Sequence, residues 1–260
     1  MTKVIAIANQ KGGVGKTTTA INLGAALAEK GVRVLVIDFD PQGNASTGLG
    51  IDKEDRSVTT YDVLVDDLAV DDAILETNTA NLWLLPATGD LSSADVDIST
   101  EPHRLLRLKI ALDREDFTDQ NYDLVLIDCP PSLSVLTLNA FAAADSVLVP
   151  LQAEFFALEG LSQLILTVRE VRENLNPGLH ISSIVLTMVD GRNRLSAQVD
   201  ADAREHLGDL VFDTVIPRNV RLSEAPSYGV PVLEYDQSSR GSEAYRALAE
   251  EFMSRVSLSS

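Results

Sequence analysis

Residues 9–19 read NQKGGVGKTTT, and their types and spacing are those of a phosphate site. Gly12, Gly13 and Gly15 allow backbone N–H groups to turn inward around phosphate oxygens, because glycine reaches conformations that a Cβ forbids. Lys16 would reach the β- and γ-phosphates, and the Thr17 hydroxyl would face a Mg²⁺ ion. The loop departs from G-x-x-x-x-G-K-[ST] in one respect. Gln10 stands where a glycine is expected, and a second lysine, Lys11, lies five residues before Lys16. A glycine-rich turn without a ligand is the alternative. The order apolar run, glycine loop, helical pattern argues against it, since the helix that follows would aim its positive end at the same phosphate.

Carboxylates supply the rest of the chemistry. VLVIDFDPQGN ends an apolar run on Asp38 and Asp40, two positions apart and so on one face of an extended strand. LVLIDCPP ends another on Asp128. Open α/β sheets place ligands at this edge. One strand-end aspartate alone reads as a helix cap or turn former; three in a chain with a phosphate loop read as a site. Cys129 reads as a small buried residue, and His103, His180 and His206 are too scattered to suggest a metal cluster.

These residues need strands to carry them. Apolar runs over residues 3–9, 32–40, 81–87, 122–131, 145–151, 181–190 and 210–217 alternate with helical patterns over 17–31, 133–143, 157–174, 195–207 and about 241–256. Gly31 is placed to stop the first helix. Such alternation predicts an α/β fold, a mostly parallel sheet flanked by helices on both faces. Residues 51–120 are polar and irregular, and predict short helices at one edge. No repeat or linker divides the chain, so residues 1–260 read as one domain. The net charge is −18, unevenly spread: +2 over residues 1–50, −11 over 51–120, −5 over 121–179 and −4 over 180–260. That acidity reads mainly as a solubilising surface. With a single cysteine, no internal disulfide forms. No signal peptide or membrane-length apolar run is evident, which predicts a cytoplasmic protein.

KGGVGKTT resembles the deviant Walker A motif of the MinD/ParA family of ATPases, and VLVIDFDPQGN and LVLIDCPP resemble its two acidic motifs. The resemblance implies a P-loop NTPase-like fold and an ATPase, using ATP and Mg²⁺, that dimerises around two nucleotides. Lys11, Gly12, Gly13, Val14, Gly15, Lys16, Thr17 and Thr18 would bind the nucleotide, and Pro217 and Asn219, in VIPRN, would line its adenine pocket. Met188 would lie near that pocket or, on its favoured reading, in the core. Lys11 would reach the partner's phosphates. Lys11, Lys16 and Asp40 would be catalytic, Asp40 by orienting or activating the attacking water. Thr17 and Asp128 would hold Mg²⁺, Asp128 through a water. Asp38 would do the same or shape the loop.

Rivals within the architecture can be weighed. A nitrogenase-type reductase needs two cysteines per subunit. A MinD-like membrane anchor needs a basic tail helix, whereas residues 242–260 carry Glu243, Glu250 and Glu251 against Arg246 and Arg255. Tyr245, Leu248, Ala249, Phe252 and Val256 predict a terminal helix that packs on the core. DPQGNASTGLG, LTMVDGRN and VIPRNVRLSEAPSYGVPV resemble the chromosomal ParA, or Soj, branch over residues 3–256. Reaching the loop at residue 11 leaves no room for the N-terminal helix-turn-helix domain of long plasmid relatives. This branch implies non-specific DNA binding by an ATP-bound homodimer, stimulation by a ParB-like partner, nucleoid association, and segregation of chromosome or plasmid DNA. The same residues would serve a relative that positions a chemoreceptor cluster or carboxysome, or a MinD-like division regulator. Arg192, Arg194, Arg218 and Arg221 would form the DNA patch if the strands before them are neighbours, with Arg192 and Arg221 foremost by the resemblance; surface ion pairs are the alternative for each.

Overall fold

A computed structural model describes residues 2–154 and 157–256. Phe155 and Phe156, within the 3–256 span that resembles the ParA branch, lie outside the described residues, as do Met1 and residues 257–260 of the expected 1–260 domain. Strands β1 (Lys3–Ile7), β2 (Val34–Asp38), β3 (Leu75–Glu76), β4 (Leu82–Leu85), β5 (Leu124–Asp128), β6 (Ser146–Gln152) and β7 (His180–Thr187) form one sheet in the order β3-β4-β2-β5-β1-β6-β7. All neighbours are parallel except β3 and β4. The longer helices are α1 (Lys16–Glu29), α2 (Val135–Ala143), α3 (Ala157–Asn174), α4 (Arg194–Leu207) and α5 (Arg240–Arg255).

Alternation along the strands builds a core on each face. Ile5, Ile7, Val34, Val36, Leu124 and Leu126 pack with α1 and α5, whereas Ala6, Leu35, Ile37, Val125 and Ile127 pack on the other side with Phe39 and Phe141. Both faces are covered, so the strands read as continuous apolar runs. On this parity Asp38 and Asp128 continue the rows that face α1. They are register partners, Asp38↔Asp128, and Asp128 pairs on its other side with Ile7. Three strands therefore end level with one another beside the glycine loop.

The terminal helix packs as its apolar spacing predicts. Tyr245, Leu248, Ala249 and Phe252 of α5 are buried, each large side chain contributing ~1.5–3 kcal/mol. The Tyr245 hydroxyl lies 3.2 Å from Thr19 Oγ1 of α1. Arg246 makes two bonds to Glu29, at 2.8 and 2.9 Å. Gly31, at φ +85°, follows the end of α1 as the sequence suggests. Among the described residues no helix is long and apolar enough to cross a membrane.

One expectation needs correction and another an addition. Residues 210–217 form no strand; they meet β7 and the turn after it only through isolated parallel bridges, Ile184↔Val211 and Val189↔Pro217, and scattered backbone bonds such as the Phe212 amide to the Ile184 carbonyl at 2.9 Å and the Ile216 amide to the Leu186 carbonyl at 2.8 Å. The cause is a competing acceptor. The amides of Asp213 and Thr214 donate to the Glu251 carboxylate of α5, each at 2.8 Å, so a side chain takes bonds that a ladder would need. Residues 51–120 do hold short helices (Thr60–Val65, Val70–Ala73, Ala94–Asp97, Arg107–Leu112 and Glu115–Thr118). They also hold the antiparallel β3, two residues long and too short to leave a periodic pattern.

One backbone contact fastens two site-bearing loops. Gly50 and Gly229 both have positive φ, at +79° and +66°, and a Cβ on Gly229 would lie 2.8 Å from the Gly50 Cα. No side chain fits there. Gly229→Ala is expected to destabilise the protein by roughly 2–4 kcal/mol, from strain plus overpacking. A Cβ on Gly12 meets nothing within 4 Å, so Gly12→Ala should stay within about 0.5 kcal/mol of wild type. Urea unfolding of both variants measures the contrast.

Candidate functional site

The glycine loop leaves β1 and enters α1 through Gly13 at φ +72° and Gly15 at φ +90°. Only glycine takes these conformations without strain. Thr187, at the end of β7, donates its hydroxyl to the Val14 carbonyl at 2.8 Å and steadies the loop from the side. Asn9 turns its start, accepting from the Lys11 amide at 3.0 Å and donating to the Pro150 carbonyl at 2.8 Å. Gly15 caps α1 with no side-chain partner, so the first-turn N–H groups point outward as an anion receptor.

Lys16 is buried, its ammonium 3.4 Å from the Lys11 carbonyl. Burial lowers its pKa, while the charges of Asp128, Cys129 and Asp40, in that order, raise it. Lys11 behaves differently. Its side chain is half exposed, and its ammonium meets Glu154 at 2.8 Å on the surface. Such an exposed pair is worth ~1 kcal/mol or less and is easily exchanged.

The three carboxylates have distinct surroundings. Asp38 is fully buried and committed. Oδ2 accepts from the Ser46 amide at 2.8 Å and hydroxyl at 2.6 Å, and Oδ1 accepts from the Asp40 amide at 3.3 Å. Burial pushes its pKa up to about 6 despite these donors. Of the two roles open to Asp38, shaping the loop is the one its contacts make directly. Asp40 is nearly buried and accepts from the Gln42 amide at 3.0 Å. Asp128 is fully buried, and neither of its oxygens has a properly formed hydrogen bond. Burial, then the charge of Asp38, drives its pKa well above the usual carboxylate range. The nearby Thr17 hydroxyl and Lys16 ammonium offset part of this. Two orphaned oxygens beside a threonine hydroxyl fit a hydrated Mg²⁺. Among the described residues no three His, Cys, Asp or Glu side chains converge on one point. Water and phosphate oxygens would therefore complete the shell of such an ion.

A cavity of about 540 Å³ opens from the N-terminus of α1. Gly15, Thr17 and Thr18 form its floor, and Pro217, Arg218 and Asn219 its far wall. A base-sized space thus lies next to the phosphate loop, with Pro217 and Asn219 where adenine was expected. Met188, expected in the core, also lines it, at φ +53°. The reason is the turn at the end of β7, which rotates this side chain out of the strand pattern. Asn44 and Thr47, which had no role assigned from the sequence, line the cavity too, as does Tyr245, expected only as a core residue of the terminal helix. A larger cavity, about 660 Å³, sits at the opposite ends of the strands near Lys3, Asp123 and Asp145. It contains no residue of the predicted site.

Backbone contacts set the two arginine-bearing segments side by side. The Val189↔Pro217 bridge and the bond from the Arg218 amide to the Val189 carbonyl, 3.1 Å, bring residues 190–194 beside 218–221. Arg192 meets Asp190 at 3.3 Å but leaves its side chain 93% exposed. Arg221 is more tightly held, by Glu224 at 2.8 Å and Asp236 at 3.2 Å. Arg194 and Arg218 form no ion pair among the described residues.

Comparison with known proteins follows the same lines. A family profile described as an AAA domain matches residues 2–181. The chromosome partitioning protein ParA of Caulobacter vibrioides is 58% identical, covering 97% of this chain and 94% of its own. The sporulation initiation inhibitor protein Soj of Bacillus subtilis is 54% identical, covering 96% and 98%. Among solved structures, a cobyrinic acid a,c-diamide synthase from Mycobacterium smegmatis with bound ATP analogue and magnesium superposes with a TM-score of 0.82 at 39% identity, covering 96% of this chain and 93% of that one.

The raised pKa of Asp128 has a thermodynamic consequence. A carboxyl whose folded pKa exceeds its unfolded value takes up a proton on folding. Its stabilising contribution is present below the unfolded pKa and is lost as pH rises through the folded one. Asp128→Asn removes that loss. In nucleotide-free protein the stability difference should move in favour of the variant by more than about 1 kcal/mol between about pH 5 and about pH 8. Urea titrations of both proteins at each pH check it.

Proposed function

This chain belongs to the ParA/Soj family of chromosome-partitioning ATPases, and from that membership we propose that it is an ATP-dependent dimerising switch, folded as one unit, that grips DNA without sequence preference. The observation that carries the reading is the placement of Lys11. Its ammonium sits at the surface against Glu154, whereas Lys16 of the same loop is buried. A cation so placed is positioned to serve phosphates presented by a second copy of the chain. Dimerisation then follows from ATP, because the two loops share the charge of two triphosphates.

Each residue has a role on this reading. The amides of residues 12–18 and the Lys16 ammonium bind the phosphates, and Thr17 and Asp128 hold hydrated Mg²⁺. Bound Mg²⁺ neutralises phosphate charge. Asp40 orients the attacking water and accepts its proton as the γ-phosphoryl passes to water, giving ADP and phosphate. Asp38 fixes the loop that carries Asp40. Lys11 from the partner adds positive charge where the transferring phosphoryl group develops negative charge. Arg192, Arg194, Arg218 and Arg221 form one basic edge on an otherwise acidic chain, and a dimer doubles it. Arg194 and Arg218 lead the patch, since their charges are not spent in ion pairs. Arg218 also lines the nucleotide cavity, which links nucleotide to patch.

A ParB-like protein that stimulates hydrolysis would release the DNA, and cycles of gripping and release would segregate chromosome or plasmid DNA on the nucleoid. The MinD-like alternative is less well supported, because α5 spends its apolar face on α1 and the core.

Light scattering after size exclusion tests the switch. With ATP and Mg²⁺, wild type and Asp40→Ala should run as dimers, the second persistently, while Lys11→Ala stays monomeric. Lys16→Ala should lose nucleotide binding. Non-specific duplex DNA should be retained only in the ATP state, with affinity falling steeply as salt rises. Arg218→Glu should weaken it at least about tenfold, and flatten the salt slope. A wild type that binds DNA equally with ADP and ATP would remove the switch.

A further inference from the structure

Arg56 is buried, at 6% exposure, and has no carboxylate within ion-pair distance among the described residues. A buried guanidinium is costly unless its donors are filled. Here they are filled by backbone and one hydroxyl. Nε and Nη2 donate to the Ile51 carbonyl at 3.2 and 2.7 Å, and Nη2 also to Thr47 Oγ1 at 2.9 Å. Nη1 donates to the Ala87 carbonyl at 3.1 Å and the Gly43 carbonyl at 3.4 Å. One planar fork thus joins the turn after Asp40, the segment after that turn, and the end of β4.

We propose that Arg56 is a positioning residue for ATP hydrolysis, which holds the Gly43–Thr47 turn so that Ser46 fixes Asp38 and Asp38 fixes Asp40. The chain of contacts is continuous. Arg56 grips Gly43 and Thr47 on either side of Ser46. The Ser46 amide and hydroxyl donate to Asp38 Oδ2, and its hydroxyl oxygen accepts from the Ala87 amide at 3.1 Å, beside the carbonyl that Arg56 holds. Asp38 Oδ1 accepts from the Asp40 amide. Five hydrogen bonds in fixed directions perform this; the rotating ammonium of a lysine does not. The turn is built around the guanidinium. Gly43 has φ +63°, and a Cβ there would lie 2.6 Å from Arg56 Nη1. Arg56 does not line the nucleotide cavity, and acts only through the turn.

The inference rests on the ATPase reading above, and the test separates the two. Wild type, Arg56→Lys, Arg56→Ala and Gly43→Ala are compared for Mg·ADP affinity, kcat and KM, and for amide hydrogen exchange. In the Arg56 variants nucleotide affinity and KM should stay within about threefold of wild type while kcat falls roughly ten- to a hundredfold, the signature of misplaced rather than missing machinery. Exchange should accelerate at residues 43–51 and not at 9–19. Millimolar guanidinium ion should restore part of kcat to Arg56→Ala and none to Arg56→Lys, where the ammonium occupies the space. An Arg56→Lys protein with wild-type kcat overturns the proposal, as does a fall in kcat with unchanged exchange at residues 43–51. If both Arg56 variants fail to fold, Gly43→Ala, which keeps the arginine but displaces Nη1, decides by the same two readouts. A wild type that hydrolyses no ATP overturns the function reading and this proposal together; turnover unaffected by Arg56→Lys overturns only this one.

Discussion

Two carboxylates that share a register position and no solvent dominate this molecule. Asp38 and Asp128 end adjacent parallel strands, both fully buried. Burial disfavours the ionisation of both, and at Asp128 the like charge of Asp38 adds to the penalty. Asp38 escapes by taking donors from the Ser46 turn and the Asp40 amide. Asp128 has no such relief: burial favours its protonated form, and a cation beside it would favour the carboxylate. Lys16 supplies one from the loop, and a hydrated metal would supply another. The glycine loop, α1 and the strand ends form a receptor for a charged, metal-bearing ligand because they surround that deficit.

The rest of the fold holds this arrangement in place. The turn over residues 43–50 grips Asp38 from within, while Gly229 presses on Gly50 from without. Residues 217–226 share a wall of the nucleotide cavity with Thr47 and Asn44, and carry Arg218 and Arg221 outward.

Much of this was legible in the sequence, for physical reasons. The glycine loop and apolar strands report local geometry, positive φ and two-sided burial, and their positions held within a few residues. The arginine patch was legible only conditionally, because it depends on which strands are neighbours. Residues 210–217 misled because apolar content signals burial, and burial they have; what they lack is a ladder, lost to Glu251 from about 40 residues away. Arg56, Ser46 and Thr187 were silent for a related reason. Their importance lies in distant carbonyls and carboxylates, and no local pattern marks a residue that acts across the fold. Met188 was hidden by a turn that its own neighbours do not announce.

The central claim is that Asp128 is a carboxylate held in deficit until a metal-bearing nucleotide arrives. Calorimetric titration of Mg·ADP at about pH 6, repeated in buffers of different ionisation enthalpy, counts the protons exchanged on binding. Wild type should release more protons than Asp128→Asn, and the difference should shrink towards about pH 8 as the free carboxyl ionises unaided. Equal proton counts for the two proteins at both pH values would contradict the account.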